Sequence, residues 1–375
     1  MLIIGGLAGP GPVSGGVWSV ALAQQAALGL VGLGSTVVGT WLGGVTDESR
    51  RPSGQVMLRA RRPFPGAGLR GLVTANLRRR LREAAAEADV AHVHLCRDYL
   101  TTSSVRILRR RGVTIVAQPH GMLTPGGGFA VRVFDWMFRR TMLDAVDLWL
   151  ALTDREERDL LAFGVSADRI SRISNAAKDL SVAHPRVIPG EPVFAFVGRL
   201  EERKQPDVFV AAAIKLLEDY PDTKFVIAGP DQGMREVVMR SIAASGRADS
   251  FDLLGPLERD RVASLLSRVT ALVLPSRGEV APMIVIEAAG LGVPSVLTTD
   301  CGLAADIDRA SAGVVVAPEV EATRAGMADM LQSREYVEIL GQRSRAVYLN
   351  NWSMEALATS LTRLYEHAMT LGREK

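Results

Sequence analysis

Short apolar runs alternate with amphipathic stretches along most of this chain, the pattern that parallel α/β units produce. In the first half, residues 2–7, 35–38, 90–95, 114–117 and 148–152 read as strands, and residues 16–28, 73–87, 102–111 and 132–143 carry the helical period between them. Residues 178–192, KDLSVAHPRVIPGEP, follow neither period and hold three prolines and a glycine, so they read as a linker. A second series then predicts strands over 193–197, 224–228, 271–274 and 295–297, with helices over 206–219 and 234–245. After Tyr348 the run Asn350-Asn351-Trp352-Ser353 interrupts a helical pattern, and Ser353 with Glu355 in the first turn starts a last helix.

A length of 375 residues exceeds one ordinary core and fits two domains, and 47% hydrophobic residues can fill both. Residues 1–46 carry no charged side chain. Strands covered on both faces explain that composition better than a membrane span, because Gln24, Gln25 and several glycines divide the run. The start Met1-Leu2-Ile3-Ile4-Gly5 lacks the basic region of a secretory signal, and Cys96 and Cys301 form no disulfide framework or metal-ligand spacing, so a cytoplasmic setting is expected.

The charge is uneven. Residues 1–185 hold 23 Lys and Arg against 15 Asp and Glu, a net of +8, while residues 186–375 hold 21 against 26, a net of −5. Such a basic half suits peripheral contact with an anionic membrane, although a solvated arginine-rich surface has the same composition. With 5% aromatics not interleaved among the basic residues, a nucleic-acid partner is not expected.

The segment 274–303, LPSRGEVAPMIVIEAAGLGVPSVLTTDCGL, carries the densest chemistry. Glu279 stands at a strand exit and Glu287 eight positions on, within the next helix. Unpaired N–H groups of that helix's first turn, near Met283 and Ile284, favour a diphosphate, and each carboxylate accepts hydrogen bonds from hydroxyls. A sugar joined to a nucleotide suits both features: one glutamate holds the sugar and the other the ribose. Gly198-Arg199 at the end of the 193–197 strand, followed by Lys204, permits close backbone approach and supplies two cations for the diphosphate. Gly15 and Gly16 follow the first strand and open a helix without the G-x-G-x-x-G spacing of a dinucleotide site. His120 follows the 114–117 strand, which places an imidazole at a strand's carboxyl end, while His92 and His94 share one face of a strand and read as structural. Asp98 and Tyr99 beyond them are acceptor-side candidates.

These elements resemble the signature of the retaining GT-B glycosyltransferases of family 4, the glycosyl transferases group 1, across nearly the whole chain. The resemblance rests on Glu279-x7-Glu287, on Gly198-Arg199-x4-Lys204 and on His120-Gly121. It implies an α/β fold of two Rossmann-like domains facing across a cleft: an acceptor domain over 1–180, a nucleotide-sugar donor domain over 181–350, and a C-terminal helix over 351–375 that returns to the first. The implied activity is metal-independent sugar transfer of the EC 2.4 type. A nucleoside diphosphate donor, a UDP-sugar favoured, would give its sugar to a hydroxyl acceptor, with lipid-linked acceptors among the candidates. Cell-surface polysaccharide or glycoconjugate synthesis, at the inner face of the plasma membrane, is the implied setting. Catalytic roles fall on His120, Arg199, Lys204 and Glu279, and substrate contacts on Gly15, Gly16, Gly198, Leu257, Met283, Ile284 and Glu287, with no cofactor and no metal ligand. Attack from the front face would let the departing phosphate accept the acceptor's proton.

The chain departs from the family at Asn175-Ala176, where Asn-Gly is usual, and at Val280-Ala281-Pro282-Met283, where Gly-Phe-Gly is common. A sugar-nucleotide epimerase of the same fold and a non-catalytic GT-B subunit are the alternative readings, with a nicotinamide-dependent oxidoreductase more distant. Function belongs to the site and not to the fold.

Overall fold

A computed structural model describes residues 1–8, 16–41, 54–61 and 73–373. Gly15 lies outside them, and Gly16 is described only as the first residue of a helix. The chain divides into two compact units, Met1–Ser174 with Leu357–Lys375, and Asn175–Ala356.

The first unit holds strands β1 (Leu2–Ala8), β2 (Thr36–Trp41), β3 (Gln55–Arg61), β4 (Val73–Thr74), β5 (Val90–Val93), β6 (Thr114–Ala117), β7 (Leu148–Ala151) and β8 (Ile170–Arg172). Their order in the sheet is β4-β3-β2-β1-β5-β6-β7-β8. Only the β3–β4 pair is antiparallel. Helices α1 (Gly16–Leu30), α2 (Leu77–Ala84), α3 (Tyr99–Arg109), α4 (Phe129–Ala145) and α5 (Asp154–Phe163) connect them. Parallel strands covered on both faces bury every side chain, and β5 and β7 do so at all four positions.

The second unit carries helices α6 (Pro206–Asp219), α7 (Arg235–Ala244), α8 (Arg259–Leu266), α9 (Met283–Gly290), α10 (Ala304–Arg309), α11 (Val320–Asp329) and α12 (Arg334–Val347). Strands β9 (Val193–Val197), β10 (Lys224–Ala228), β11 (Phe251–Gly255), β12 (Ala271–Leu274), β13 (Ser295–Thr298) and β14 (Gly313–Val316) form an all-parallel sheet in the order β11-β10-β9-β12-β13-β14. Phe194, Phe196, Phe209, Phe225 and Phe251 stack through its core. A π-helical turn at Tyr348–Trp352 precedes the last helix, α13 (Met354–Arg373). Ser353 Oγ accepts from the Ala356 amide at 3.1 Å, so Ser353 caps that helix start. Residues beyond the sheet-bearing strands of the first unit, around Ala177, are tied into the second unit: Tyr348 donates to the Ala177 carbonyl and the Ala177 amide to the Trp352 carbonyl.

Three local expectations change. The helix expected over 73–87 begins as strand β4, because Thr74 Oγ1 bonds the Arg59 carbonyl at 2.6 Å and Asn76 takes a left-handed φ of 63° that stops α2 from extending backward. Strand β3 was hidden by its arginines, which an edge-proximal strand tolerates, and helix α5 by its run of acids. Thr153 caps α5, and Gly164 ends it in the left-handed region.

Three adjacent strands, β9, β10 and β11, end or turn on Gly198, Gly229 and Gly255. The Gly198 amide bonds the Ala228 carbonyl and the Gly229 amide the Gly255 carbonyl. Gly229 has φ of 146°, and a Cβ there would overlap the Gly198 carbonyl oxygen. Gly229→Ala is therefore expected to destabilise the protein by at least about 2 kcal/mol. Chemical denaturation of the full chain measures this, and an unchanged midpoint would refute the close approach.

Candidate functional site

In the second unit, β9 lies between β10 and β12, so the chain runs outward on one side and returns on the other. Loops that follow β9 and β12 therefore meet at the carboxyl edge of the sheet, the place where open α/β sheets bind ligands. The β9 loop makes a 3-10 turn over Glu202–Lys204, closed by Gln205 in the left-handed region. This turn aims Lys204 inward. Its Nζ lies 2.9 Å from Glu279 Oε1, and Arg203 Nη1 lies 2.8 Å from the same oxygen. Lys204 and Glu279 are both buried, at 8% exposure each, so the charges are held by one another and by the exposed guanidinium of Arg203.

Arg199 stands at the outer side of this cluster. It is exposed and bonds Glu201 at 3.1 Å and Gln232 at 3.2 Å. Glu201 also takes Arg203 at 3.1 Å, so Arg199 is linked to Glu279 through Glu201 and Arg203. The sequence reading missed Arg203 because the phase of a 3-10 turn is not written in spacing alone. A Cβ at Gly198 would stand 3.7 Å from Lys204 Cδ, ordinary contact distance, so the Lys204 stem packs beside this glycine.

Helix α9 begins at Met283 with Pro282 before it and no side-chain cap, so its first-turn amides near Met283 and Ile284 receive no side-chain acceptor. Glu287, on the same helix, pairs with Arg259 at 3.1 Å; burial pushes its carboxyl above the ordinary value while Arg259 pulls it back. Leu257 is half-buried against the core beyond β11. Cys301 lies buried near Glu279 and Lys204, and burial pushes its thiol up to about 12.

The first unit builds a different kind of site. His92 on β5 and His94 just past its end stack at 5.0 Å, and His94 stacks on His120 at 4.9 Å. Nδ1 of His94 meets Nε2 of His120 at 2.7 Å, and Nδ1 of His92 meets the hydroxyl of Tyr365 on α13 at 2.9 Å. The ring of His120 is the last of the column. His120 and Gly121 both have positive φ, 54° and 73°. Glu156, at 3% exposure, holds this turn: Oε1 accepts from the Gly121 amide at 2.6 Å and Oε2 from the Leu152 amide at 2.7 Å. Thr153-x-x-Glu156 has the spacing of a capping box, which was the available signal for this residue. Arg97 grips Asp135 through two bonds, at 2.8 and 2.9 Å, and also bonds the carbonyls of Met122 and Thr124, fixing the rest of the loop. Asp98 acts as the cap of α3, accepting from the Thr101 amide, and Tyr99 opens that helix.

Two doubly wound parallel sheets, each with polar side chains gathered beyond its strands' carboxyl ends, define the GT-B class of glycosyltransferases. A solved structure of the Anabaena protein HepE in complex with UDP has the same fold, with a TM-score of 0.73 at 12% identity over 97% of this chain and 99% of that one. The glycosyl transferase 4-like domain matches residues 15–176 and the glycosyl transferases group 1 domain matches residues 181–347. Together the two matches span most of the chain and make it a GT-B glycosyltransferase. It is 25% identical to a D-inositol 3-phosphate glycosyltransferase of Nocardia farcinica over 316 residues, covering 78% of this chain and 69% of that one. A protein of the same name from Segniliparus rotundus is 26% identical over 66% of this chain and 55% of its own length. The chain thus spans between 55 and 69% of these curated relatives.

Burial holds His92 down at about 3 and His120 at about 4, and it keeps His94 well below its ordinary 6.5. In the unfolded chain these imidazoles take up a proton near 6.5, so between that value and 4 the unfolded state holds more protons. The stability this column contributes is complete above the unfolded value and is lost as pH falls toward the folded ones. Denaturation midpoints measured between pH of about 7.5 and about 5 are expected to fall, and to fall less steeply in His92→Gln. Equal slopes in the two proteins would show that the column does not titrate in this way.

Proposed function

We propose that the chain transfers a sugar from a nucleoside diphosphate donor, a UDP-sugar favoured, to a hydroxyl acceptor with retention of configuration and without a metal. The observation that carries this is the cluster of Arg203, Lys204 and Glu279 where the β9 and β12 loops meet. Counting the linked groups, Arg199, Arg203 and Lys204 face Glu201 and Glu279, three cations against two carboxylates, and a diphosphate satisfies that surplus as its bond to the sugar lengthens. Lys204, Arg199 and the α9 amides stabilise that charge, so the leaving group departs without a Lewis acid. Glu279 holds sugar hydroxyls and Glu287 the ribose, with Gly198 and Leu257 lining the nucleotide's approach. The second unit serves as the donor domain, and the first, with Gly15, Gly16 and the loop at His120, as the acceptor domain. His120 is neutral under this reading and gives the sugar a hydrogen bond or its backbone carbonyl; it does not abstract a proton. The departing phosphate accepts the acceptor's proton. UDP in the HepE complex supports a nucleotide donor, and the names of the curated relatives support glycosyl transfer. Cell-surface polysaccharide or glycoconjugate synthesis in the cytoplasm is the setting this reading favours.

The acceptor side extends the reading to a membrane surface and a lipid-linked acceptor. Helix α4 exposes Phe129 at 83% and Trp136 at 85%, and Arg132 and Arg140 fall on the same helical face. Aromatic and cationic side chains so arranged suit the interface of an anionic bilayer. No helix among the described residues is long and apolar enough to cross one.

Titration with UDP-sugars should show binding weakened at least about tenfold in Lys204→Ala and in Glu287→Ala, each lost charged contact being worth roughly 1.5–3 kcal/mol. Mass spectrometry of the same donors should show transfer only when an acceptor is added and no loss with a chelator. Donor conversion without acceptor would favour the epimerase reading, and unchanged affinity in both variants would remove the donor site. Cosedimentation with phosphatidylglycerol vesicles should occur at low salt, decline as salt rises, and weaken in Trp136→Ser. Absence of binding at low salt would remove the membrane contact.

A further inference from the structure

Away from both groups described above, helices α2, α3 and α4 of the first unit enclose a cavity of about 800 Å³. Five guanidinium groups line it. Arg78 and Arg82 come from α2 at a spacing of four, Arg106 and Arg110 from α3 and its cap at the same spacing, and Arg111 from the turn that follows. No carboxylate lines the cavity, and among the described residues none of the five arginines has an ion-pair partner. This is selective, because the neighbouring α2 arginines that do not line it, Arg79 and Arg80, both pair with Glu83. Arg109, between the α3 pair, is held by Asp147 at 3.1 Å.

The ends of the helices do not balance this charge. Two helix C-termini supply about half a negative charge each, against five positive side chains. Mutual repulsion is visible at Arg82, which Arg78 and then burial and Arg111 hold below its ordinary value. A second observation points into the same place. Thr102, one helical turn before Arg106 on the same face, is 2% exposed, and its buried Oγ1 has no partner. Leu77 and Ile107 add apolar wall to the lining.

We infer that this cavity is a binding site for a phosphate-bearing ligand, with the arginines engaging the phosphate oxygens and the Thr102 hydroxyl donating to one of them. Guanidinium groups match phosphate oxygens through paired bonds, and a hydroxyl left without a partner in a buried position gains one. The apolar wall accommodates the carbon portion of a phosphate ester. A lipid headgroup and a soluble polyphosphate present the same chemistry to these side chains. The site is independent of sugar transfer, so it stands or falls without the donor assignment.

The test is calorimetric titration of the full chain with inorganic tripolyphosphate, together with cosedimentation on phosphatidylglycerol vesicles. Four proteins are compared: wild type, Arg106→Ala/Arg110→Ala, Arg106→Lys/Arg110→Lys, and Arg79→Ala/Arg80→Ala, which removes the same charge from outside the cavity. Lys204→Ala is added to separate any phosphate held in the second unit. Weakening of tripolyphosphate binding at least tenfold in the Arg106/Arg110 alanine pair, with less than twofold change in the Arg79/Arg80 pair, and the same contrast when both pairs are made in the Lys204→Ala protein, supports a soluble ligand. Loss of vesicle binding in the same pair alone, where tripolyphosphate does not bind the wild type, supports a lipid headgroup. The lysine pair keeps charge without the paired geometry and should fall between, which also guards against a misfolded alanine variant. Equal losses in the Arg79/Arg80 pair, or no binding of either probe to the wild type, would overturn the proposal.

Discussion

The pairing of β9 with β12 is the constraint on which the second unit's chemistry depends. It joins the first strand of that unit to a strand far along the chain, so that one loop brings a lysine and the other a glutamate to a common edge. Burying either charge alone would cost several kcal/mol, and each makes the other's burial tolerable. Arg203 then adds a cation in excess, and Glu201 carries that network outward to Arg199. Glycines at the neighbouring strand ends let backbone approach backbone closely enough for the loops to lie where they do.

The first unit reaches a polar interior by the opposite route. Its three imidazoles are kept neutral by burial and stacked against one another, and Tyr365 of the terminal helix closes the column at its far end. The last helix is thereby part of the scaffold beneath His120. Glu156 accepts from the Gly121 amide of the same turn and from the Leu152 amide just past β7, so the turn's two left-handed residues are held from the side as well as from below. One unit keeps charge by pairing it and the other removes charge by burying it. Both devices leave fixed polar groups at the carboxyl edge of a parallel sheet.

Legibility in the sequence followed the range of the interaction concerned. Strands such as 114–117, 193–197 and 224–228 were plain because their burial on both faces writes an unbroken apolar run, and α6 was plain because Pro206 marks its first turn. Residues 73–74 read as helix but form strand β4, since its support is the pairing with β3 and the Thr74 bond to Arg59, neither of which a local pattern records. Lys204 and Glu279, singled out from spacing and residue type, stand together in the structure. Arg203 was not legible, because its neighbours in sequence look the same as any solvated charge, and Glu156 showed only as the last residue of a capping-box spacing.

The amino-acid sequence by itself determined the alternation of strands and helices, the family, and which loops carry cations, carboxylates and imidazole, because periodicity and motif spacing are local properties. Only the tertiary structure decided that Arg203 accompanies Lys204 on Glu279, that His92 and His94 underlie His120, and that one set of arginines is paired while the next is left free in a cavity. Those outcomes depend on strand order and on the phase of turns, which arise from contacts between residues far apart in the chain.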